Sequence, residues 1–108
     1  MFGIFNQKTH KITRVIATEH YSIAAWIHAH DHFPEQQLES VSTARGEEMA
    51  QVWCGDGTSL YFSPKNHPAP NSSSGMVWMR RITREEFEEA LEQLKLEFAP
   101  SIPALVLG

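Results

Sequence analysis

The sequence predicts an α+β fold. We expect an antiparallel sheet of about four to five strands with two helices packed on one face. The order is β-β-α-β-β-β-α, followed by an extended C-terminal tail. Three observations support this. Short β-branched and aromatic runs alternate with Gly, Asp, Asn and Pro clusters. Two longer segments space their apolar residues at three and four, as a helix does. The composition, 42% hydrophobic and 20% charged, is that of an ordinary globular chain. The 108 residues fit one domain, 1–108, large enough to bury a core without disulfides.

Residues 2–6 read as a short strand, with Phe2 and Ile4 on one face and Phe5 on the other. The polar NQKTHK run is a turn, and the β-branched residues 12–17 form a second strand, giving an N-terminal hairpin. Residues 18–33 (TEHYSIAAWIHAHDHF) follow as the first helix. Thr18 suits the N-cap, Glu19 the first turn, and Pro34 stops the helix. Ile23, Trp26, Ile27, His30 and Phe33 form its apolar stripe, so we expect Ile23, Trp26 and Ile27 to hold it to the sheet. Trp26→Ala is expected to be among the most damaging substitutions.

Residues 34–48 are polar, and Leu38 and Val41 are the only anchors we identify, through one helical turn or a short strand. Met49–Cys54 and residues 58–63 flank Gly55-Asp56-Gly57, the strongest hairpin signal in the chain. Residues 64–75 carry three prolines and an Asn-Ser-Ser-Ser-Gly run, so they form a loop. Residues 76–82 return to strand, with Met76, Trp78, Arg80 and Ile82 on one face. The last helix spans 83–98, opened by a Thr83/Glu86 capping box and striped by Phe87, Ala90, Leu91, Leu94 and Phe98. Two prolines keep the apolar residues 99–108 from forming a regular helix, so an extended arm is expected, docked on its own chain or on a second copy.

Charge and motifs exclude several functions. A net charge of −4 gives no basic face, which argues against nucleic acid. One cysteine allows neither an intrachain disulfide nor a Cys-based zinc cluster, and favours a reducing compartment. The N-terminal residues lack a secretory pattern and no run is long enough to span a membrane, so we expect a soluble cytoplasmic protein. Phosphate-loop, dinucleotide, nucleophile-elbow and His-Glu-x-x-His motifs are absent.

The remaining chemistry is local. His28 and His32 are four apart on a helix, a spacing that seats two imidazoles on one transition metal such as zinc. A third ligand would have to come from His20, Asp31, His67 or Glu35. The plainer account makes His30 a half-buried packing residue and leaves His28 and His32 solvated at a helix C-terminus. An acid–base or pH-sensing role is a third account. Cys54 reads as a small packing residue rather than a nucleophile, since no base is evident beside it. Arg80, Arg81 and Arg84, with Trp78, suit a phosphate or an acidic partner, or more simply offset the neighbouring glutamates. Glu85, Glu88, Glu89 and Glu92 give the last helix an acidic face suited to a basic protein surface, or simply a solvated one.

With no complete catalytic constellation, the sequence favours a noncatalytic interaction or regulatory protein. It would bind a protein partner or itself, as a homodimer, through the acidic helix, a sheet edge or the tail. The alternative is a small metal-dependent or acid–base enzyme centred on His28 and His32. Size and composition suit a small accessory protein of bacterial or phage type.

Overall fold

The computed structural model describes residues 1–46, 48–64 and 74–98. Eight elements follow in chain order. They are β1 (Phe2–Phe5), β2 (Ile12–Ile16), α1 (Tyr21–His32), β3 (Leu38–Ala44), β4 (Met49–Cys54), β5 (Ser59–Ser63), β6 (Ser74–Arg81) and α2 (Arg84–Phe98). The fold is α+β as expected, but among the described residues the strands number six and the sheet is mixed, in the order β2-β1-β6-β5-β4-β3. The expected 64–75 loop, apart from its ends, and the 99–108 arm lie outside the described residues.

Two departures account for the sheet. β3 arises in the segment expected to be mainly polar; its Val-Ser-Thr run is β-forming, but both faces are too polar to show alternation. β5 and β6 pair in parallel, from Ser59 opposite Ser74 to Ser63 opposite Trp78. A parallel pair cannot be joined by a tight hairpin, which is the pairing that alternating side-chain patterns suggest for neighbouring strands. The pair also packs closely. A Cβ at Gly75 would lie 2.9 Å from Leu60 Cδ2, so no larger residue fits there without movement.

The chain's first strand is a central one. All four residues of β1 are buried, between β2 and β6. Its loop to β2 is tied by Asn6, whose Oδ1 accepts from the Lys8 and Thr9 N–H groups at 2.8 and 2.9 Å. His10 closes that loop at φ +63°, a region that costs most non-glycine residues, and sets its ring edge-on to Trp78. The β4–β5 hairpin turns at Gly57, φ +88°, and Asp56 Oδ1 accepts from the Thr58 N–H at 3.0 Å.

One face of the sheet holds the core: Phe2, Ile4, Ile16, Ala50, Val52, Leu60, Phe62 and Met79. α1 packs on this face over β3 and β4. It presents Tyr21, Ala24, Ala25 and Ala29 to the core. This corrects the expected stripe. Ile23 is 46% exposed, Phe33 is 37% exposed, and Trp26 and Ile27 are only half-buried against the core. The reason is distance. The three alanines let the helix settle close to Ala50 and Val52, and bulky residues at those positions would lift it off. Tyr21 spans the wider gap beyond, meeting the Phe2 ring edge-on at 5.2 Å and donating its hydroxyl to the Met79 carbonyl. α1 also starts later than expected. His20 is its N-cap, without a side-chain cap, and Thr18 and Glu19 stay outside the helix.

α2 does not share that seat. It runs along β2, and its Glu86 holds Arg80, a residue of the opposite sheet face together with Phe5 and Trp78. The expected pair of helices on one face is therefore replaced by helices at the two ends of the strand order. The capping box is formed as expected. Glu86 N–H donates to Thr83 Oγ1, and Thr83 N–H donates to Glu86 Oε1, both at 3.1 Å.

Candidate functional site

The histidines of α1 separate as the helix turns. His28 faces inward, half-buried and edge-on to Phe62 at 5.9 Å. His30 is exposed, which reverses the packing role expected for it. His32 is exposed and stacks on His28, ring centroids 5.3 Å apart.

The inward flank meets Arg14 of β2, which the sequence reading passed over as a strand residue. Its Nη1 donates to His28 Nδ1 at 3.4 Å, and its Nη2 donates to Asp31 Oδ2 in an ion pair. Asp31 Oδ1 also lies 3.6 Å from His30 Nδ1. Arg14 shares its sheet face with Ile16, and the polar cluster closes the core at that point. The Arg14 guanidinium holds the Asp31 carboxyl below the usual carboxylate range. Burial, with Arg14 and His32 adding positive charge, pulls the His28 imidazole down to about 4. His28 is therefore neutral near pH 7, with Nδ1 accepting from Arg14 and the proton on Nε2. A guanidinium against Nδ1 also works against a cation at this ring. Among the described residues, no group of three or more His, Cys, Asp and Glu is placed to hold a metal ion.

The three arginines singled out in sequence do not converge. Arg80 stacks 4.5 Å over the Phe5 ring and pairs with Glu86 at 3.2 Å. Arg81 lies on the other sheet face, 4.7 Å over the Phe2 ring, and donates to the Glu19 carbonyl. Arg84 pairs with Glu88 at 3.5 Å within α2. Glu85, Glu88, Glu89 and Glu92 are all exposed, so α2 does present an acidic face. Cys54 is buried at the end of β4 and lines a part-open groove of 270 Å³ with Phe33, Asp56 and Thr58. Among the described residues, no histidine lines that groove.

The remaining feature is an edge. β3 is the outermost strand, and among the described residues no strand pairs with its outer side. Its Ser40–Ala44 stretch pairs with β4 in continuous register and carries no charge, proline or glycine. Natural edge strands are usually blunted by such residues. Beside it, α1 leaves Ile23 exposed and Trp26 half-buried at the margin of the core. His28 and Asp31 occupy the flank toward Arg14, and at 3.6 residues per turn Trp26 falls on the opposite flank, toward β3. The open strand and the apolar ridge thus adjoin.

No protein-family model, curated protein or solved structure matches this chain.

Proposed function

We propose that this is a small noncatalytic interaction protein, acting in a reducing cytoplasmic setting, that binds a protein partner or a second copy through the β3 edge and the adjoining face of α1. One observation carries the reading: an edge strand uncharged along Ser40–Ala44 lies beside a helix that leaves Ile23 exposed and Trp26 half-buried. Strand addition to an exposed edge takes its affinity from main-chain hydrogen bonds, and an apolar ridge beside it contributes the buried area. The acidic face of α2 is a solvated surface in this reading, where Arg80 and Arg84 pair with its glutamates, and Arg81 ties β6 to Phe2 and Glu19.

Photo-crosslinking in the cells that make the protein tests it. A photoreactive residue at Thr43 is expected to yield protein adducts, of itself or another protein, and one at Gln93 on α2 is not. Equal labelling from both positions, or none from Thr43, contradicts the reading.

The second reading, a metal-dependent or acid–base site, has the stacking of His28 on His32 in its favour. Zinc or nickel would have to displace the Arg14 contact and recruit further ligands. A thermal shift on zinc addition that His32→Ala abolishes would favour it.

A further inference from the structure

We infer that the partner of the β3 edge is a second copy of this chain, joined antiparallel about a two-fold axis at Ser42. The inference rests on the edge-binding reading above and adds both the occupant and the register.

The charges select the register. Ser40, Val41, Ser42, Thr43 and Ala44 form an uncharged stretch whose midpoint is Ser42. Just beyond its ends stand Glu39, bulged out of the β3–β4 register, and Arg45, which opens the following turn at φ +53°, both exposed. Each is three residues from Ser42. A two-fold at Ser42 sets Ser40 opposite Ala44 of the second copy and Val41 opposite Thr43. It sets Glu39 opposite Arg45, and symmetry repeats that pair at the other end. Opposite charges brought this near attract and like charges repel, in the bulge and the turn as on the strands themselves. A centre moved by one residue loses both charge pairs and shortens the uncharged match.

The helices support the same arrangement independently. A two-fold perpendicular to the sheet keeps both α1 helices on one face of a continuous sheet. Adjacent strands lie about 4.8 Å apart, so the axis falls about 2.4 Å outside β3. α1 sits over β3 and β4, about 5 Å from that axis, and the two α1 helices then lie about 10 Å apart. That is the spacing of packed helices, and the flank brought to the axis carries the half-buried Trp26, with the exposed Ile23 beside it. The apolar surface that these two leave open becomes the dimer's second layer.

Sedimentation of the full chain, with charge reversal, tests this. The wild type is expected to dimerise with concentration. Glu39→Arg alone and Arg45→Glu alone each place like charges opposite one another twice, and each is expected to weaken the dimer by about tenfold or more. The double variant, Glu39→Arg with Arg45→Glu, is expected to restore it. Both side chains are exposed, so the monomer fold survives each change, as circular dichroism will verify. Ser42→Cys supplies a second readout. Directly opposed residues lie about 5 Å apart, within reach of a disulfide, so mild oxidation is expected to link the two copies. A chain that stays monomeric at the highest attainable concentration overturns the second copy as occupant. If Thr43 still labels another protein, the edge-binding reading survives that loss. A dimer indifferent to both reversals, with Ser42→Cys unlinked, overturns the register and the β3 contact together.

Discussion

The two helices use their apolar residues in opposite ways. α2 follows the usual rules: a reciprocal capping box, glutamates in its first turn and on its outer face, and a buried Ala90. α1 has no side-chain cap, and it gives its alanines to the core while Ile23 and Phe33 face outward. An apolar stripe therefore shows which side of a helix seeks cover, not which neighbour supplies it. For α2 the cover is its own sheet. For α1 the close seat over β3 and β4 admits only small residues, and the large ones are left for another surface.

The largest expected effect breaks the close seat itself. Ala25→Leu is expected to destabilise the monomer by about 1–3 kcal/mol by overpacking, measured by urea unfolding. Ile23→Ala, nearly adjacent but outward, is expected to change monomer stability by less than about 0.5 kcal/mol. Equal effects would mean that the stripe read from sequence is the core-facing one after all.

His28 sharpens the same contrast through pH. Its folded value of about 4 lies below the ordinary 6.5, so between those values the unfolded chain binds a proton that the folded chain does not. Stability therefore falls as pH drops through that window, by about 2 kcal/mol after allowing for part exposure. In His28→Gln this component is expected to vanish, leaving a shallower loss between pH 7 and 4.

The cap of α2 comes next. Thr83→Ala removes the hydroxyl that satisfies the Glu86 N–H and is expected to lower stability by about 1 kcal/mol. Smallest of all is zinc, which is expected to leave the melting temperature unmoved, because Arg14 already occupies His28 Nδ1. A zinc-dependent rise lost in His32→Ala would reverse the assignment of that cluster.

Much of this fold was legible in the sequence. Thr83 and Glu86 announce α2, Gly55-Asp56-Gly57 announces the β4–β5 hairpin, and the alternation of β1, β4 and β5 places their side chains on the correct faces. β3 was harder to read because Ser40, Ser42 and Thr43 leave no alternation for a strand that stands at an edge. The parallel β5–β6 pair depends on chain direction, which side-chain pattern does not encode. The site was less legible. His28 and His32 were visible as a pair, but Arg14 lies fourteen residues from His28 in sequence and reaches it only through the fold. Ile23, Trp26 and Phe33 were visible as a stripe, and only the alanine seat showed that Ile23 and Phe33 stay exposed while Trp26 reaches the margin of the core.

The central claim concerns the two edges of one sheet: β2, beside which α2 runs, and β3, open along Ser40–Ala44. Amide hydrogen exchange measured at low and high protein concentration compares them directly. Outward-facing amides of Ser40–Ala44 are expected to exchange fast when dilute and to gain protection as concentration rises, with β2 unchanged. Exchange along β3 that is equally fast at every concentration, with or without cell extract, would contradict the account.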